Sequence, residues 1–463
     1  MNQHRFPPGP PPAKNPIRII RLMSMFQGNA LVAFDKLKAE YGDTYRLQFG
    51  EGLGYVSSHP DFMHEVMVTN ASSFHKDRDL KNRQAGLGRF LGNGLLTSDG
   101  AFWKRQRKLA APALHAKRIA SYGQTMVDLT VKMLDGWQDG ARLDIAHEMT
   151  NLTMLIVAKT LFNVDTSRDA ERVGAAVEVV QSVAGPAPLI PAWVPTPSEL
   201  RKRHARHELD EIIYRLIAEW REKGVDNGDL LSMLLLAEDD DGAHMTDEQA
   251  RDEIVTLFLA GHETTANTLN WTWTLLAQNP DVAAKLHAEL DTVLGGQPPT
   301  LADLERLTYT DWVVKESMRI YPPAWIVGRE AIEDVEINGY FVPKGSQVNL
   351  VFYFAHHDPR WWDEPEAFRP ERFSPENEAT FNKRAYTPFG GGPRVCIGNS
   401  FAMMEARLLL ATIAQRYRLS LAPGQTVAMN PMITLNPLGG LPMTLHAREG
   451  KPVVERYVAM AAP

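Results

Sequence analysis

The only cysteine of the 463-residue chain lies in a loop whose composition favours a chemical role. Three glycines, a proline and an arginine precede Cys396 in the segment Phe389–Gly398, and a helical pattern follows from Asn399 to about Gln415. Backbone N–H groups and the helix dipole at such a position favour a thiolate, which suits a soft metal centre such as haem iron. An inert buried thiol is one alternative. A nucleophile with a histidine base is the other, although no such base lies near Cys396 in the sequence.

A second group of polar residues interrupts an otherwise apolar helical pattern. Residues Ala260–Thr265 read Ala-Gly-His-Glu-Thr-Thr in the middle of that pattern. Glycine costs about 1 kcal/mol inside a helix, and threonine hydroxyls compete for backbone carbonyls. One interpretation is a solvated notch or a tolerated packing feature. The other is a kinked polar groove that holds a small ligand and delivers protons, because departures from local folding rules are expected at functional sites.

The helix that carries this group is the clearest structural prediction from the sequence. Thr246 and Gln249 form a capping-box pattern ahead of two acidic residues in the first turn. The helical pattern runs to about Gln278 and ends before an Asn-Pro pair. At 1.5 Å per residue this predicts a helix roughly 48 Å long, which would cross the whole molecule. Its apolar residues lie on most sides, which indicates burial.

The remaining patterns predict a mainly α, α+β fold. Residues 102–280 are rich in helical patterns, which a proline cluster at 186–197 interrupts ahead of a charged helix at Ser198–Lys223. Strand-like pieces lie toward both ends of the chain at Thr44–Phe49, Gly54–Ser57 and Val348–Phe352.

Composition excludes several classes of protein. A single cysteine cannot form an intramolecular disulfide or a cysteine-rich zinc site. The net charge of −7 gives no reason to expect nucleic acid as a partner. Residues 1–16 are polar and proline-rich, and the apolar piece Ile17–Phe26 is short and broken by two arginines. We therefore expect no signal peptide and no membrane anchor, and we predict a cytoplasmic protein.

The segment around Cys396 resembles the haem-binding loop of the cytochrome P450 haem-thiolate monooxygenases, whose pattern is Phe-x-x-Gly-x-Arg-x-Cys-x-Gly. Other segments are similar to motifs of that family in the same order: Trp103-x-x-x-Arg107, Ala260–Thr265, Glu316–Arg319 and Pro370–Phe373. The resemblance covers roughly residues 30–450. It implies the P450 fold, with a long central helix over the haem and small β-sheets near the termini. It also implies one catalytic domain over 1–463, with no fused reductase.

The resemblance assigns the cofactor and the residues that bind it. Haem b (iron protoporphyrin IX) would be held by Cys396 as the axial ligand of its iron, and Phe389 would pack beside the sulfur. Haem also carries two propionates, which need cations and hydrogen-bond donors. The residues expected to bind the propionates are Arg394, Trp103, Arg107 and Arg329.

The polar group of the central helix acquires specific roles from the resemblance. Glu263 and Thr264 would be an acid–alcohol pair that supplies protons to dioxygen. Ala260 lies one turn before Thr264 and would face the haem, while Gly261 would allow a distortion that makes room for dioxygen. We expect His262 to have a packing or hydrogen-bond role and not to bind metal.

Two further sets of residues have structural explanations. The resemblance implies that Glu316, Arg319 and Arg372 form a buried ion network that supports folding and haem insertion, not chemistry. Two histidine pairs look like possible metal ligands, but we expect these residues on the surface: His204, His207, His356 and His357.

The substrate is only coarsely indicated. Matching to the family places Leu96, Ala260 and Ala324 in the pocket, and the turn at Asn436–Leu441 is a looser candidate. These mostly small or aliphatic side chains predict an apolar substrate of fatty-acid, terpenoid, carotenoid or steroid-like type. No arginine is clearly placed to bind a carboxylate, which disfavours a fatty acid.

Electrons are expected from a separate protein, a ferredoxin or flavodoxin with its reductase, because no flavin or iron–sulfur segment is visible. An acidic donor would be attracted by a basic patch, although an ordinary charged surface is the alternative. The residues of that basic patch are Lys104, Arg105, Lys108, Lys383 and Arg384. We expect the protein itself to be a monomer.

The predicted function is insertion of one atom of dioxygen into an apolar molecule, by hydroxylation or epoxidation. A peroxide-driven peroxygenase or a non-oxygenating haem-thiolate enzyme is the alternative among enzymes, and the presence of both Glu263 and Thr264 argues against it. A haem-binding sensor or carrier is the alternative of another class. A sensor should carry an output domain, and none is visible.

Overall fold

The computed structural model describes residues 4–26, 28–82, 87–162, 170–181, 194, 196–226 and 228–448. The helices in these ranges are α1 (Pro16–Ser24), α2 (Ala30–Tyr41), α3 (Pro60–His64), α4 (Arg78–Lys81), α5 (Gly88–Leu91), α6 (Gly100–Ala110), α7 (Ala116–Leu134), α8 (Ile145–Phe162), α9 (Ala170–Gln181), α10 (Pro197–Lys223), α11 (Leu230–Leu236), α12 (Asp247–Gln278), α13 (Pro280–Leu294), α14 (Thr308–Ile320), α15 (Phe352–His356), α16 (Pro375–Glu378) and α17 (Asn399–Arg416). In the part of the chain so described, no helix combines the length and the apolarity needed to cross a bilayer.

The strands are short and form small sheets, which confirms the prediction of a mainly α, α+β fold. They are β1 (Thr44–Phe49), β2 (Gly52–Ser57), β3 (Phe74–Lys76), β4 (Arg142–Asp144), β5 (Ile326–Ala331), β6 (Val335–Ile337), β7 (Tyr340–Val342), β8 (Gln347–Val351), β9 (Tyr417–Leu421), β10 (Met429–Pro431), β11 (Leu435–Pro437) and β12 (Pro442–Ala447). The largest sheet has the order β1-β2-β8-β5-β3, in which only β2 and β8 pair in parallel. A second sheet has the order β4-β12-β9.

The central helix α12 begins and ends where the sequence predicts. Its N-cap is Thr246, and the reciprocal hydrogen bonds with Gln249 complete the capping box. Its end at Gln278 follows from Asn279 and Pro280, because the residue before a proline disfavours helical geometry. Most residues of α12 are buried, and Trp271 is fully so.

Other predicted elements are displaced by one or two residues. The charged helix begins at Pro197 rather than Ser198, and the strand expected at Val348–Phe352 is β8 at Gln347–Val351. Phe352 instead opens α15, directly after the strand. These shifts lie within the ordinary uncertainty of element ends.

A buried ion network connects α14 to the segment that follows it, as predicted. Arg319 donates to Glu316 through Nε at 2.8 Å and Nη2 at 2.9 Å, and Arg372 Nε donates to Glu316 Oε1 at 3.1 Å. Glu316 and Arg319 are wholly buried, so the carboxylate and the two guanidinium groups compensate one another away from water. The network ties the end of α14 to the turn at Pro370–Phe373.

The expectation of four surface histidines is wrong for one pair. His204 and His207 are exposed on α10, but His356 is fully buried and His357 is half-buried. His356 Nδ1 donates to the Arg319 carbonyl at 3.1 Å, and its Nε2 accepts the Thr387 N–H at 3.0 Å. Burial lowers the pKa of His356 to about 3, so a neutral ring links the ion network to the start of the cysteine loop.

Candidate functional site

The cysteine loop closes on itself just before α17. The Cys396 N–H donates to the Phe389 carbonyl at 3.0 Å, and the Val395 N–H donates to the Gly392 carbonyl at 3.1 Å. Phe389 is half-buried and its ring packs against the main hydrophobic core. The structure therefore places Phe389 beside Cys396 through a backbone contact, which is consistent with the predicted neighbourhood.

The Cys396 side chain remains accessible although protein surrounds it on most sides. Burial raises the pKa of the Cys396 thiol, while the Gly398 N–H and the Arg107 charge lower it less. The Gly398 N–H thus favours the thiolate, as expected for backbone donors of this loop, but desolvation opposes it more strongly. A bound cation at the sulfur would reverse that balance.

A cluster of cations lies beside the loop. Lys76 at the end of β3 is opposite Arg329 on β5, and both side chains are buried. Arg394 joins them from the cysteine loop, where it pairs with Asp99 and donates to the Ser98 carbonyl at 2.9 Å. Two carboxylates, Asp99 and Asp77, lie close enough to act on the Arg329 charge, and Asp99 also pairs with Lys81 at 3.0 Å.

The cations of this cluster repel one another, and their burial opposes the charged forms. Burial lowers the pKa of Lys76 well below its usual range, and the charges of Arg329 and Arg394 lower it further. Burial and Arg394 likewise lower the pKa of Arg329 to about 10. The Arg329 guanidinium donates to its neighbouring Gly328 carbonyl at 2.8 Å, and the Asp77 and Asp99 charges oppose the fall in its pKa. Carboxylate groups of a bound molecule would reduce this repulsion and favour the charged forms of both side chains.

The pair predicted on α6 lies against the same loop. The Arg394 guanidinium is 4.1 Å from the centre of the Trp103 ring, and the Arg107 guanidinium is 5.7 Å from it. Arg107 Nη2 also donates to the Val395 carbonyl at 2.9 Å. The structure thus brings Trp103, Arg107, Arg394 and Arg329 into one neighbourhood with Cys396.

Lys76 is a member of this neighbourhood that the sequence analysis missed. It follows Phe74 and His75 in a strand of three residues, which is too short to show a pattern. Only the pairing of β3 with β5 places Lys76 opposite Arg329.

The polar group in the middle of α12 contains an acid held by a distant hairpin. Thr434, in the turn between β10 and β11, donates through Oγ1 to Glu263 Oε1 at 2.6 Å. Asn267 Nδ2 donates to the same Thr434 hydroxyl at 3.0 Å. Thr434 and Asn267 are buried, so the Glu263 carboxylate has a defined orientation. Local sequence patterns do not indicate Thr434 as a partner, because 171 residues separate it from Glu263.

Ala260 and Thr264 lie one turn apart on the least buried part of the middle of α12. Ala260 is exposed, and the Thr264 hydroxyl donates to the Ala260 carbonyl at 2.8 Å. The helix continues without a break through Gly261, so the predicted distortion is not an interruption of the helix. Gly261 faces α8, where Val157 Cγ2 would lie 3.4 Å from a Cβ at that position.

The neighbours of these residues have structural roles, as expected for His262. Its buried ring hydrogen-bonds through Nδ1 to the Phe258 carbonyl at 2.9 Å. Thr265 donates to the Gly261 carbonyl at 3.2 Å. Thr265 also lies close to Glu405, a buried acid on α17 whose pKa burial raises to about 8. This contact joins the helix that follows Cys396 to the polar part of α12.

The predicted pocket residues lie on separate segments. Leu96 is half-buried against the main core, and Ala324 is half-buried beside Pro323, whose carbonyl accepts the Leu435 N–H at 2.9 Å. The looser candidate, Asn436–Leu441, does not act as one surface: Leu438 is 60% exposed and Leu441 is wholly buried. Thr434 and Leu435 instead contact α12, Thr434 through Glu263 and Asn267 and the Leu435 carbonyl through Trp271 Nε1 at 2.8 Å.

Comparison with known proteins identifies the family. The family model for cytochrome P450 matches residues 7–441. The chain is 38% identical to cyclooctatin synthase from Streptomyces melanosporofaciens, over 85% of this chain and 87% of that protein. It is 37% identical to cyclooctat-9-en-7-ol 5-monooxygenase from the same organism, over 84% of each chain. It is 32% identical to pentalenene oxygenase from Streptomyces avermitilis, over 97% of this chain and 99% of that protein.

The chain belongs to the cytochrome P450 family. Membership of the P450 family implies a haem-iron cofactor and an oxidoreductase activity that incorporates oxygen. The residues of this chain fit a haem. The thiol is accessible, and the buried cations beside it, Lys76, Arg329 and Arg394, outnumber the carboxylates Asp77 and Asp99, which suits the two propionates of a haem. A P450 also needs dioxygen, an organic substrate and a redox partner.

The basic patch expected to attract the redox partner is largely neutralised within the P450 itself. Arg105 pairs with Asp239 at 2.5 Å, Lys108 pairs with Asp240, and Arg384 pairs with Asp61 at 2.7 Å. The two remaining members, Lys104 and Lys383, are exposed and form no ion pair with the described residues. The patch is therefore less basic than its sequence indicates.

Proposed function

We propose that this P450 hydroxylates or epoxidises a cyclic, terpenoid-like hydrocarbon or alcohol. Two relatives support this proposal, because they are named as a cyclooctat-9-en-7-ol 5-monooxygenase and a pentalenene oxygenase. The small or aliphatic Leu96, Ala260 and Ala324 also favour an apolar molecule. A fatty acid is disfavoured, because the cations near Cys396 are gathered in the buried cluster around Asp99.

The observation that carries the proposed haem site is the unbalanced charge next to Cys396. Cys396 would ligate the iron of haem b, and Phe389 and Gly261 would lie close to the cofactor. The buried cations would bind its two propionates and so lose the repulsion that now lowers the pKa of Lys76. The residues proposed to bind the propionates are Lys76, Trp103, Arg107, Arg329 and Arg394.

The haem, when bound, supplies the activation of dioxygen. Thr264 would present its hydroxyl next to the reacting oxygen, and Glu263 would return protons to that hydroxyl. The Thr434 hydroxyl donates to Glu263 Oε1 at 2.6 Å and so orients the carboxylate for this role. Replacement of Thr264 by alanine should lower dioxygen-driven turnover about 100-fold and leave peroxide-driven turnover intact.

Electrons would come from a separate ferredoxin or flavodoxin with its reductase. Only Lys104 and Lys383 of the expected basic patch are free of ion pairs among the described residues, so we expect salt to weaken docking modestly. We further propose that the protein is a monomeric cytoplasmic enzyme whose single catalytic domain spans the chain.

Two measurements on the purified protein test this function. The reduced CO complex should absorb as a thiolate-ligated haem, and Cys396→Ser should abolish that absorption. Cyclic sesquiterpenes and diterpenes, with their monohydric alcohols, are then compared with straight-chain fatty acids by the shift of the Soret band. Turnover of the strongest binder with a surrogate ferredoxin pair should add one oxygen atom, as read by mass spectrometry. Stronger binding and turnover of fatty acids would contradict the proposed substrate class.

A further inference from the structure

The loop that carries Leu96 is attached to α12 by three consecutive charged residues. Arg251 Nη1 donates to the Phe90 carbonyl at 2.7 Å, and the Asn93 N–H donates to Asp252 Oδ2 at 2.6 Å. The Leu95 N–H donates to Glu253 Oε2 at 2.9 Å. All three charged side chains are buried, and each binds the backbone of residues 90–95 rather than another side chain of that segment. The loop is therefore fixed in position by main-chain contacts.

Two glycines bring the loop unusually close to α12. A Cβ atom at Gly92 would overlap the Asp252 carboxylate. A Cβ atom at Gly94 would overlap the Thr256 hydroxyl and lie 2.7 Å from the Asp252 carbonyl. Residues with side chains at either position would push the loop away from the helix.

The other end of the same loop is attached to the cysteine loop. Arg394 donates to the Ser98 carbonyl at 2.9 Å and pairs with Asp99. Ser98 in turn donates its N–H to the Gly94 carbonyl at 2.9 Å. Leu96 lies between these two attachments, about 7 Å or less along the chain from each. The contact at Thr256 is one turn from Ala260, so Leu96 is held between that part of α12 and the cysteine loop.

The contacts around Arg251 show that this attachment is supported from a third element. Arg251 Nε donates to Asp210 of α10 at 2.6 Å, and its Nη1 also donates to Asp252 Oδ1 at 2.9 Å. The guanidinium thus compensates Asp252 and crosslinks two helices to the loop. Glu253 has no such cation, and its Oε1 has no hydrogen-bond partner among the described residues. Of the three contacts with the loop, the one between Glu253 and Leu95 can therefore be removed by a single substitution that leaves Arg251 with its partners.

We propose that Arg251, Asp252 and Glu253 are positioning residues for substrate selection: they set how far Leu96 extends over the substrate and so limit the size and orientation of the molecule accepted. This inference rests on the proposed function, because it assigns Leu96 to the substrate pocket. The three residues do not touch the substrate. They act through the loop at residues 90–97, whose main chain they bind.

Azole binding to the haem protein tests the proposal without turnover. Imidazole and the bulky apolar azole clotrimazole both ligate haem iron, but only the second reaches the surrounding side chains. We expect Glu253→Ala to weaken clotrimazole about tenfold relative to imidazole, because the Leu95 N–H loses its acceptor and the loop moves. Glu253→Gln keeps an acceptor oxygen and should change the ratio less than about threefold.

A matched control separates positioning from general loss of stability. Glu289 on α13 likewise accepts backbone N–H groups, from Tyr309 at 2.6 Å and Thr310 at 2.8 Å, but it ties α13 to α14. Glu289→Ala should lower the melting temperature and leave the azole ratio unchanged. Hydrogen exchange of a peptide covering residues 90–98 should rise in Glu253→Ala and not in Glu289→Ala.

A double-mutant cycle connects the effect to Leu96. Leu96→Ala should reproduce the change in the azole ratio, and Glu253→Ala should add little to it. If Glu253→Ala does not accumulate as a haem protein, Gly94→Ala replaces it, because its Cβ must move the loop off Thr256. An unchanged ratio in a folded variant, or an equal change in Glu289→Ala, overturns the inference. A wild-type protein lacking a thiolate-haem spectrum would instead overturn the proposed function.

Discussion

The protein buries two clusters of charge and balances them in different ways. In the ion network, Glu316 accepts hydrogen bonds from Arg319 and Arg372, and the remaining guanidinium donors reach backbone carbonyls. In the cation cluster, Lys76, Arg329 and Arg394 lie near Asp99 and Asp77, and burial and the charge of Arg394 lower the pKa of Arg329 to about 10. The hydrogen bonds of the first cluster are complete among the described residues, although its two guanidinium groups share one carboxylate. The second cluster also has more cations than carboxylates, and we propose that anions of a bound cofactor complete it.

The comparison gives a general criterion for interpreting buried charge. A buried ion pair that is satisfied by its own chain contributes to structure, and removing one partner leaves the other stranded. A buried excess of one sign indicates a ligand of the other sign, with structural ion pairs as the competing explanation. Both clusters here adjoin the cysteine loop, one through His356 and Thr387 and the other through Arg394.

The largest expected effect comes from breaking the complete cluster. Glu316→Ala leaves Arg319 and Arg372 buried without their carboxylate, which should destabilise the protein by about 3–5 kcal/mol. We expect little or no haem-containing protein, measured as the ratio of Soret absorbance to total protein. Glu371→Ala is the control, since its partner Lys285 is exposed. Normal haem content in Glu316→Ala would show that the network is dispensable.

The next effect concerns Glu405, a buried acid outside both clusters. Burial raises its pKa from 4.5 to about 8, so the folded protein retains a proton that the unfolded chain releases. The free energy of unfolding should therefore decrease as pH rises through this range, by on the order of 2–4 kcal/mol. Glu405→Gln, an isosteric neutral residue, should reduce the fall in melting temperature between pH 5 and 8. Equal pH slopes for the two proteins would contradict this explanation.

Removing one cation from the unbalanced cluster should have a smaller effect of a different kind. Lys76→Met removes a residue that we propose to bind a propionate, but it also removes a buried amine that Arg329 and Arg394 repel. We expect haem transfer to apomyoglobin to become about tenfold faster, while the melting temperature of the haem protein changes little. Lys104→Met on the exposed side of α6 is the control. If haem loss is equally fast in both variants, Lys76 does not bind the cofactor.

The smallest expected effect concerns Glu263, whose carboxylate accepts a hydrogen bond from the neutral Thr434 hydroxyl. Thr434→Val removes the hydroxyl that orients Glu263, which should lower the fraction of electrons used for product about fivefold and raise peroxide release. Thr434→Ser keeps the hydroxyl and should behave like the wild type. The measurement is product formed per reduced nicotinamide consumed, with a surrogate ferredoxin pair. A valine variant that couples normally would show that Glu263 needs no such support.

Local signals in the sequence located the elements that carry the site. The capping box at Thr246 and the proline at 280 define both ends of α12, because these determinants act within a few residues of the chain. The cysteine loop and the segments at Trp103, Glu263 and Glu316 were likewise recognisable from residue type and spacing. The buried ion network followed from the same motifs.

The errors and omissions have one physical origin. Lys76, Thr434 and Glu253 act on residues that lie far away in the chain, and no local pattern records those partners. His356 was expected on the surface because histidine beside an Asp-Pro turn is usually exposed, yet the fold buries it against Arg319. For Cys396, the sequence indicates the backbone donors that favour the thiolate but not the desolvation that opposes it.

The sequence by itself determined the family, the cysteine that can hold a haem, and the helix that carries Glu263 and Thr264. Those features depend on the spacing of residues that are close in the chain, and this spacing is visible in the sequence itself. Tertiary structure alone decided which charges are balanced. It paired Lys76 with Arg329 across a sheet, closed Thr434 onto Glu263, and attached the Leu96 loop to Glu253. Electrostatic balance depends on distances through space and on burial, and both become defined only when the chain has folded.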